Sequence, residues 1–256
     1  MDTTLDAGCR VADLRQGEPE VNGPLRLWTR FGRATGARAL SLRILEVAPG
    51  LSPGLLNTDC DEVLYVLEGT GTAYLDGHAF AVGPDVGIHL RPGVRLALEN
   101  PGPHPFALVS ARCPNDGTPG IFEAARVRPT EGSGAPPPTA VARLGDSPPE
   151  VASDGRSFQV LIDASGSGAP VTQFVGSIPP GRAPDHFHEY EEVLVVLEGR
   201  GRVWAARESA PIRSGSCVFL PRRQIHCVEN LGEERLRLLG VFYPSGSPAA
   251  RRLPTA

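Results

Sequence analysis

Short apolar runs broken at glycine and proline recur along the whole chain, as in VTQFVGSI (171–178), EEVLVVLEG (191–199), SCVFLP (216–221) and RLRLLGVFYP (235–244). They are rich in Val, Leu, Ile and Phe, too short for helices, and bounded by turn residues, so they predict strands. Gly69-Thr70-Gly71 and Gly199-Arg200-Gly201 interrupt such runs where a hairpin must turn, because glycine tolerates the positive φ of tight turns. The class predicted is all-β, with short strands closing on themselves so that no edge is left exposed.

The runs repeat at long range. EVLYVLEG at 62–69 recurs as EVLVVLEG at 192–199 with seven of eight residues identical. Pro49-Gly50 faces Pro180-Gly181, and Leu98-Glu99-Asn100 faces Val228-Glu229-Asn230, at offsets of 131 and 130 residues. Solenoid repeats run to about 20–50 residues, so each copy here predicts a domain with its own core. Between the copies lies a stretch of Pro, Gly, Ser and Ala, including EGSGAPPPTA (131–140) and GDSPPE (145–150), which reads as a linker. The expected division is a first barrel over 1–115, a linker over 116–150 with FEAARV (122–127) as its one candidate helix or strand, and a second barrel over 151–256. The first 40 residues, with Trp28 and Phe31, are expected to add strands to either barrel.

Composition narrows the function. The 256 residues are 41% hydrophobic and 21% charged, in the range of ordinary globular domains. A net charge of −4 gives no basic field for a nucleic-acid backbone or an anionic membrane, so neither partner is expected. All 25 basic residues are arginine, which excludes lysine Schiff-base or general-base chemistry. Five cysteines without regular spacing, and an N-terminus MDTTLDAGCR without a basic and then apolar segment, predict a reducing, cytoplasmic location.

The candidate chemistry is a metal site. In GRAPDHFHEYEEVLVVLEG, His186 and His188 are two apart on what should be a strand, so both imidazoles project to one face. Glu192 follows beyond a short turn through Glu189 and Tyr190, and GSCVFLPRRQIHCVEN supplies His226 from another strand. Three imidazole nitrogens and one carboxylate suit one divalent first-row transition ion (Fe, Mn, Ni, Zn or Cu) that keeps open positions. Cys227, adjoining His226, should point to the opposite face.

These residues carry a resemblance to the cupin superfamily, whose two motifs are G-x5-H-x-H-x3,4-E-x6-G and G-x5-P-x-G-x2-H-x3-N. The first is filled by Gly181, His186, His188, Glu192 and Gly199, and the second by Gly215, Pro221, His226 and Asn230. Two departures stand out: four residues rather than five separate Gly181 from His186, and Arg223 takes the place of the second motif's glycine. The resemblance implies two tandem cupin barrels of the jelly-roll or double-stranded β-helix type. It also implies His186, His188, Glu192 and His226 as metal ligands, with Glu192 able to release and act as a catalytic base. Arg223, Tyr190 and Phe219 are the candidate substrate contacts.

Counting back from Glu62, the first copy has Leu56 and Thr58 at the positions of His186 and His188, and PGVRLALEN has no histidine where His226 falls. The first barrel is therefore expected to hold no metal, with Glu62 as a structural carboxylate. His89, Asp59, Asp61 and Cys60 are the residues from which an unrelated site would be built.

Cupins host many reactions. The reading expected first is a dioxygenase-type oxidoreductase on a small enolic, phenolic or carboxylated substrate. Alternatives are a redox-neutral lyase, isomerase or hydrolase, as in the ureidoglycine aminohydrolases of similar length and layout, or a non-catalytic ligand-binding cupin. A small-molecule substrate and a homodimer are the expected partners.

Overall fold

The computed structural model describes residues 2–115, 117, 120–132, 134, 140–152 and 155–249, and all that follows concerns them. They build two β-barrels, each from a larger and a smaller sheet. In the first barrel the larger sheet runs through Val141–Arg143, Val86–Leu90, Asp61–Glu68, Phe106–Cys113, Leu42–Val47, Leu25–Phe31 and Glu20–Asn22. In the second it runs through Thr3–Thr4, Arg10–Asp13, Ser216–Leu220, Glu191–Glu198, Leu236–Tyr243, Thr172–Ile178, Ser157–Ile162 and Glu150–Val151.

Each repeat lends its opening strand to the other barrel. Arg10–Asp13 pairs antiparallel with Ser216–Leu220 of the second barrel, and Val141–Arg143 pairs antiparallel with Val86–Leu90 of the first. The two strands are equivalent: Val11-Ala12-Asp13-Leu14 matches Val141-Ala142-Arg143-Leu144 at an offset of 130. Each ends in the same bond, Leu14 N–H to the Gly215 carbonyl (2.9 Å) and Leu144 N–H to the Asp85 carbonyl (3.0 Å). The reciprocal exchange crosses both boundaries drawn at 115/116 and 150/151. Within the expected linker, Ile121–Glu123 also forms a strand, paired with Gly54–Leu56 of the first barrel.

The exchange explains why the central strands are buried along their whole length rather than at alternate positions. Val86–Leu90, Phe106–Cys113 and Ser216–Leu220 are buried at every position. One face of each fills its own barrel, and the other packs against the sister barrel, so both faces are dry. Along Glu191–Glu198, Leu194 and Val196 belong to the barrel interior, while Val193 and Val195 join a cluster with Ile44, Val63, Tyr65 and Val109 of the first barrel. Phe31 and Phe219 meet there with ring centroids 6.0 Å apart. Each barrel thus has an apolar interior, as expected, and a third core is shared between them.

Candidate metal centre

Period-2 alternation along Glu191–Glu198 puts Glu192 on the interior face with Leu194 and Val196. Its neighbour Glu191 faces the other way and accepts the backbone N–H groups of Arg38 (2.9 Å) and Ala39 (2.7 Å), which pins the start of this strand to the first barrel. His226 opens the strand His226–Asn230. His186 and His188 are not on a continuous strand as expected. The segment Ala183–Tyr190 is irregular and touches the sheet at a bridge between His186 and His226, with backbone bonds of 3.0 and 2.8 Å. Pro184 has no N–H to give a ladder, which accounts for the interruption. The expected result is nevertheless reached: a ligand atom from each of His186, His188 and His226 lies within 4.8 Å of the others, and all three residues are buried.

The orientation of each ring is fixed from behind. His186 donates through Nδ1 to the Pro184 carbonyl (3.0 Å) and His226 through Nδ1 to the Gln224 carbonyl (2.8 Å). His188 Nδ1 lies 3.0 Å from the Tyr190 hydroxyl, and Tyr190 stacks on the His188 ring at 4.8 Å and on Phe242 at 4.1 Å. With Nδ1 engaged in each ring, Nε2 is the nitrogen presented to the pocket, and this outer layer of partners is what metal-binding imidazoles need. Burial, reinforced by His186 and His188, holds His226 well below its ordinary pKa despite the opposing bond to Gln224, so it is neutral and able to ligate.

Glu192 lies beside the three histidines, with Oε2 3.7 Å from His188 Nε2. Burial pushes its carboxyl up to about 8, and no arginine pairs with it among the described residues. The corresponding glutamate of the first barrel shows what is missing. Burial alone would raise Glu62 too. Instead the Arg43 guanidinium, hydrogen bonds from Ser110 and Asn57, and the nearby Arg112 hold it below the usual carboxylate range. Arg43 Nη2 is 2.6 Å from Glu62 Oε1. One barrel therefore supplies its buried carboxylate with an organic cation. The other places the equivalent carboxylate beside three imidazoles, a donor set that a divalent ion fits as counter-charge.

The comparison also corrects the alignment of the two copies. Leu55 pairs with Leu96 in the first barrel where His186 pairs with His226 in the second. The counterparts of His186 and His188 are thus Leu55 and Asn57 rather than Leu56 and Thr58, because the turn before Glu62 is one residue longer. In the same register Arg43 pairs with Ser110, whereas Phe174 pairs with Gly240. The exchange is coupled, since a Cβ at Gly240 would lie 2.3 Å from the Phe174 ring.

A pocket of about 120 Å³ opens onto His186, His188, Glu192 and His226. Its wall is apolar, formed by Phe158, Phe174, Ile178, Leu194, Val228 and Leu238, with Arg156, Ser157 and Ser177 as polar members. Of the expected substrate contacts, none lines it. Phe219 faces the other barrel, Tyr190 sits behind His188, and Arg223 lies at the surface with Nε 2.8 Å from Glu189. Phe158, Phe174 and Arg156 were not singled out from sequence. Phe174 was open to it, as an alternating interior position of VTQFVGSI.

Asp61 and His89 share a 2.7 Å hydrogen bond, but the three histidines are the one group of three or more potential ligands among the described residues, so no second site forms with Asp59 and Cys60. The five cysteines are buried and none is in a disulfide. Cys227 faces away from the metal centre, as its alternation predicts, with its sulfur accepting from Arg182 Nε at 3.3 Å. No helix among the described residues is long and apolar enough to cross a membrane.

The Cupin domain family matches residues 43–112 and 174–242, more than half of the chain, and the protein belongs to the cupin family. Two copies in one chain make it a bicupin. Among solved structures, it resembles the putative glyoxylate induced protein from Pseudomonas aeruginosa, at 20% identity over 100% of this chain and 95% of that one, TM-score 0.74. It also resembles Bacillus subtilis oxalate decarboxylase, in a structure concerned with that enzyme's Mn(II) centres, at 15% identity over 94% of this chain and 78% of that one, TM-score 0.70. At these identities the likeness shows the bicupin fold alone. Auxin-binding protein 1 of Arabidopsis thaliana is 33% identical over 73 residues, which are 25% of this chain and 37% of that protein.

Proposed function

We propose that the second barrel holds one divalent first-row transition ion on His186, His188, His226 and Glu192 and catalyses a dioxygenase-type oxidation of a small enolic, phenolic or carboxylated substrate. The observation that carries the reading is the contrast between the two equivalent glutamates: Glu62 has its cation in Arg43, whereas Glu192 has no arginine among the described residues and lies beside a cluster of three histidines. A bound ion supplies Lewis acidity and, if it is Fe, Mn, Ni or Cu, electrons for dioxygen.

The residues of the chain do the rest. Phe158, Phe174 and Leu238 exclude water and accept a planar body, and Arg156 is placed to meet a substrate carboxylate. Glu192 Oε takes the proton that an enol or phenol must lose on binding. Apart from the histidines and Glu192, the described lining offers only serines and an arginine. A second reading, a redox-neutral carbon–carbon lyase, uses the same residue: a proton taken up by Glu192 from the substrate can be returned to a carbanion.

Oxygen separates the readings. Protein loaded with Fe²⁺ or Mn²⁺ and offered enolic, phenolic and keto-acid substrates should consume oxygen in step with substrate, and His226→Ala should not. Equal turnover without oxygen would replace the oxidase reading with the lyase, and ligand binding without turnover would remove the enzyme reading.

A further inference from the structure

The first barrel contains a cavity of its own, about 390 Å³, with Arg43 and Arg112 in its lining and Arg33 exposed beside them. We propose that this cavity binds a small organic carboxylate, received by Arg43 and Ser41 and drawn in by Arg33.

Two buried donors are aimed at it. Arg43, 7% exposed, spends Nη2 on Glu62 and Ser110 and Nε on Ser110. Its Nη1 makes no hydrogen bond among the described residues and lies 3.9 Å from where a Cβ on Gly120 would stand. Ser41, 5% exposed, also lines the cavity, and its hydroxyl has no partner among the described residues. A buried hydroxyl left without a partner is costly, and Arg43 Nη1 beside it can donate to a further acceptor. An acceptor-only group answers both, and a carboxylate oxygen is such a group.

Charge points the same way. Among the described residues the lining carries Arg33 and Arg43 against Glu20, with Arg112 and Glu62 already engaged. Leu27 and Phe122 add apolar wall, which suits an organic anion better than a bare inorganic one. The cavity is separate from the metal centre: none of its lining belongs to the second barrel.

Binding is tested on His226→Ala protein treated with chelator, so that no metal in the second barrel can coordinate the probe. Benzoate is titrated by calorimetry, with inorganic phosphate as control. A saturable benzoate site in the first barrel is expected, told apart from any binding in the Phe158–Phe174 pocket by its response to the first-barrel variants that follow. Ser41→Ala and Arg33→Ala, which remove an unbonded hydroxyl and an exposed side chain, should each weaken it about tenfold. Gly120→Val, which adds bulk beside Arg43 Nη1, should abolish it. Arg43 itself is left intact, because its loss would strand the buried Glu62. Absence of saturation at millimolar benzoate, affinity unchanged in all three variants, or phosphate binding as tightly as benzoate would each overturn the assignment.

Discussion

Replacing Glu192 by Gln should change the pH dependence of the metal-free protein in a calculable way. Folding moves this carboxyl from an ordinary value of 4.5 to about 8 through burial. Between those values the folded state holds a proton that the unfolded state has lost. The stability contributed by the neutral form is therefore complete below about 4.5 and declines as pH rises towards 8, at about 1.4 kcal/mol per pH unit. His226 works in the opposite sense. Its folded pKa is depressed, so its contribution is lost as pH falls below its unfolded value of 6.5. The window from pH 6.5 to 8 is consequently governed by Glu192, and there wild-type apoprotein should lose about 2 kcal/mol relative to Glu192→Gln. Urea denaturation of chelator-treated protein at the two ends of the window measures this as the change in the difference between the two proteins, in which other titrations cancel. Saturating metal should reverse the trend in wild type, since binding requires the ionised carboxylate. A difference between wild type and variant that is the same at pH 6.5 and pH 8 would refute the claim that Glu192 is buried without a cation.

Two other outcomes follow from the packing. Tyr190→Phe keeps the stack between His188 and Phe242 but removes the hydroxyl at His188 Nδ1, so metal affinity measured by competition with a chelator should fall about 10- to 100-fold with little change in melting temperature. Deleting residues 2–14 removes the strand that edges the second barrel and the buried Leu5, Val11 and Leu14, at roughly 1.5–3 kcal/mol each. Both the denaturation midpoint and metal uptake by the second barrel should drop, and unchanged uptake would mean that the exchanged strand is dispensable.

The candidate site was legible because His186, His188 and Glu192 are close in sequence and His226 follows in a second motif; alternation accounts for Glu192 on its strand, while His186 and His188 reach the same interior from an irregular segment. The all-β class and the duplication were legible too. Strand exchange was not. Val11–Leu14 and Val141–Leu144 are too short to stand out as a repeat, and nothing local tells a strand which of two similar edges it will join. The one-residue shift that makes Asn57, rather than Thr58, the counterpart of His188 was hidden because counting from Glu62 assumes turns of equal length. Phe219 was drawn towards the site by its nearness to the second motif. Its strand partner settles the matter: Leu220 faces Glu192 in the ladder and shares its barrel, so Phe219 must face the other way.

The central claim is that one barrel answers its buried glutamate with an ion and the other with an arginine. Metal-stripped protein titrated with Mn²⁺ or Fe²⁺ under anaerobic conditions tests it directly. One tight equivalent per chain is expected in wild type, one in Glu62→Gln, and none in His226→Ala. Two equivalents in wild type, or one retained in His226→Ala, would contradict it.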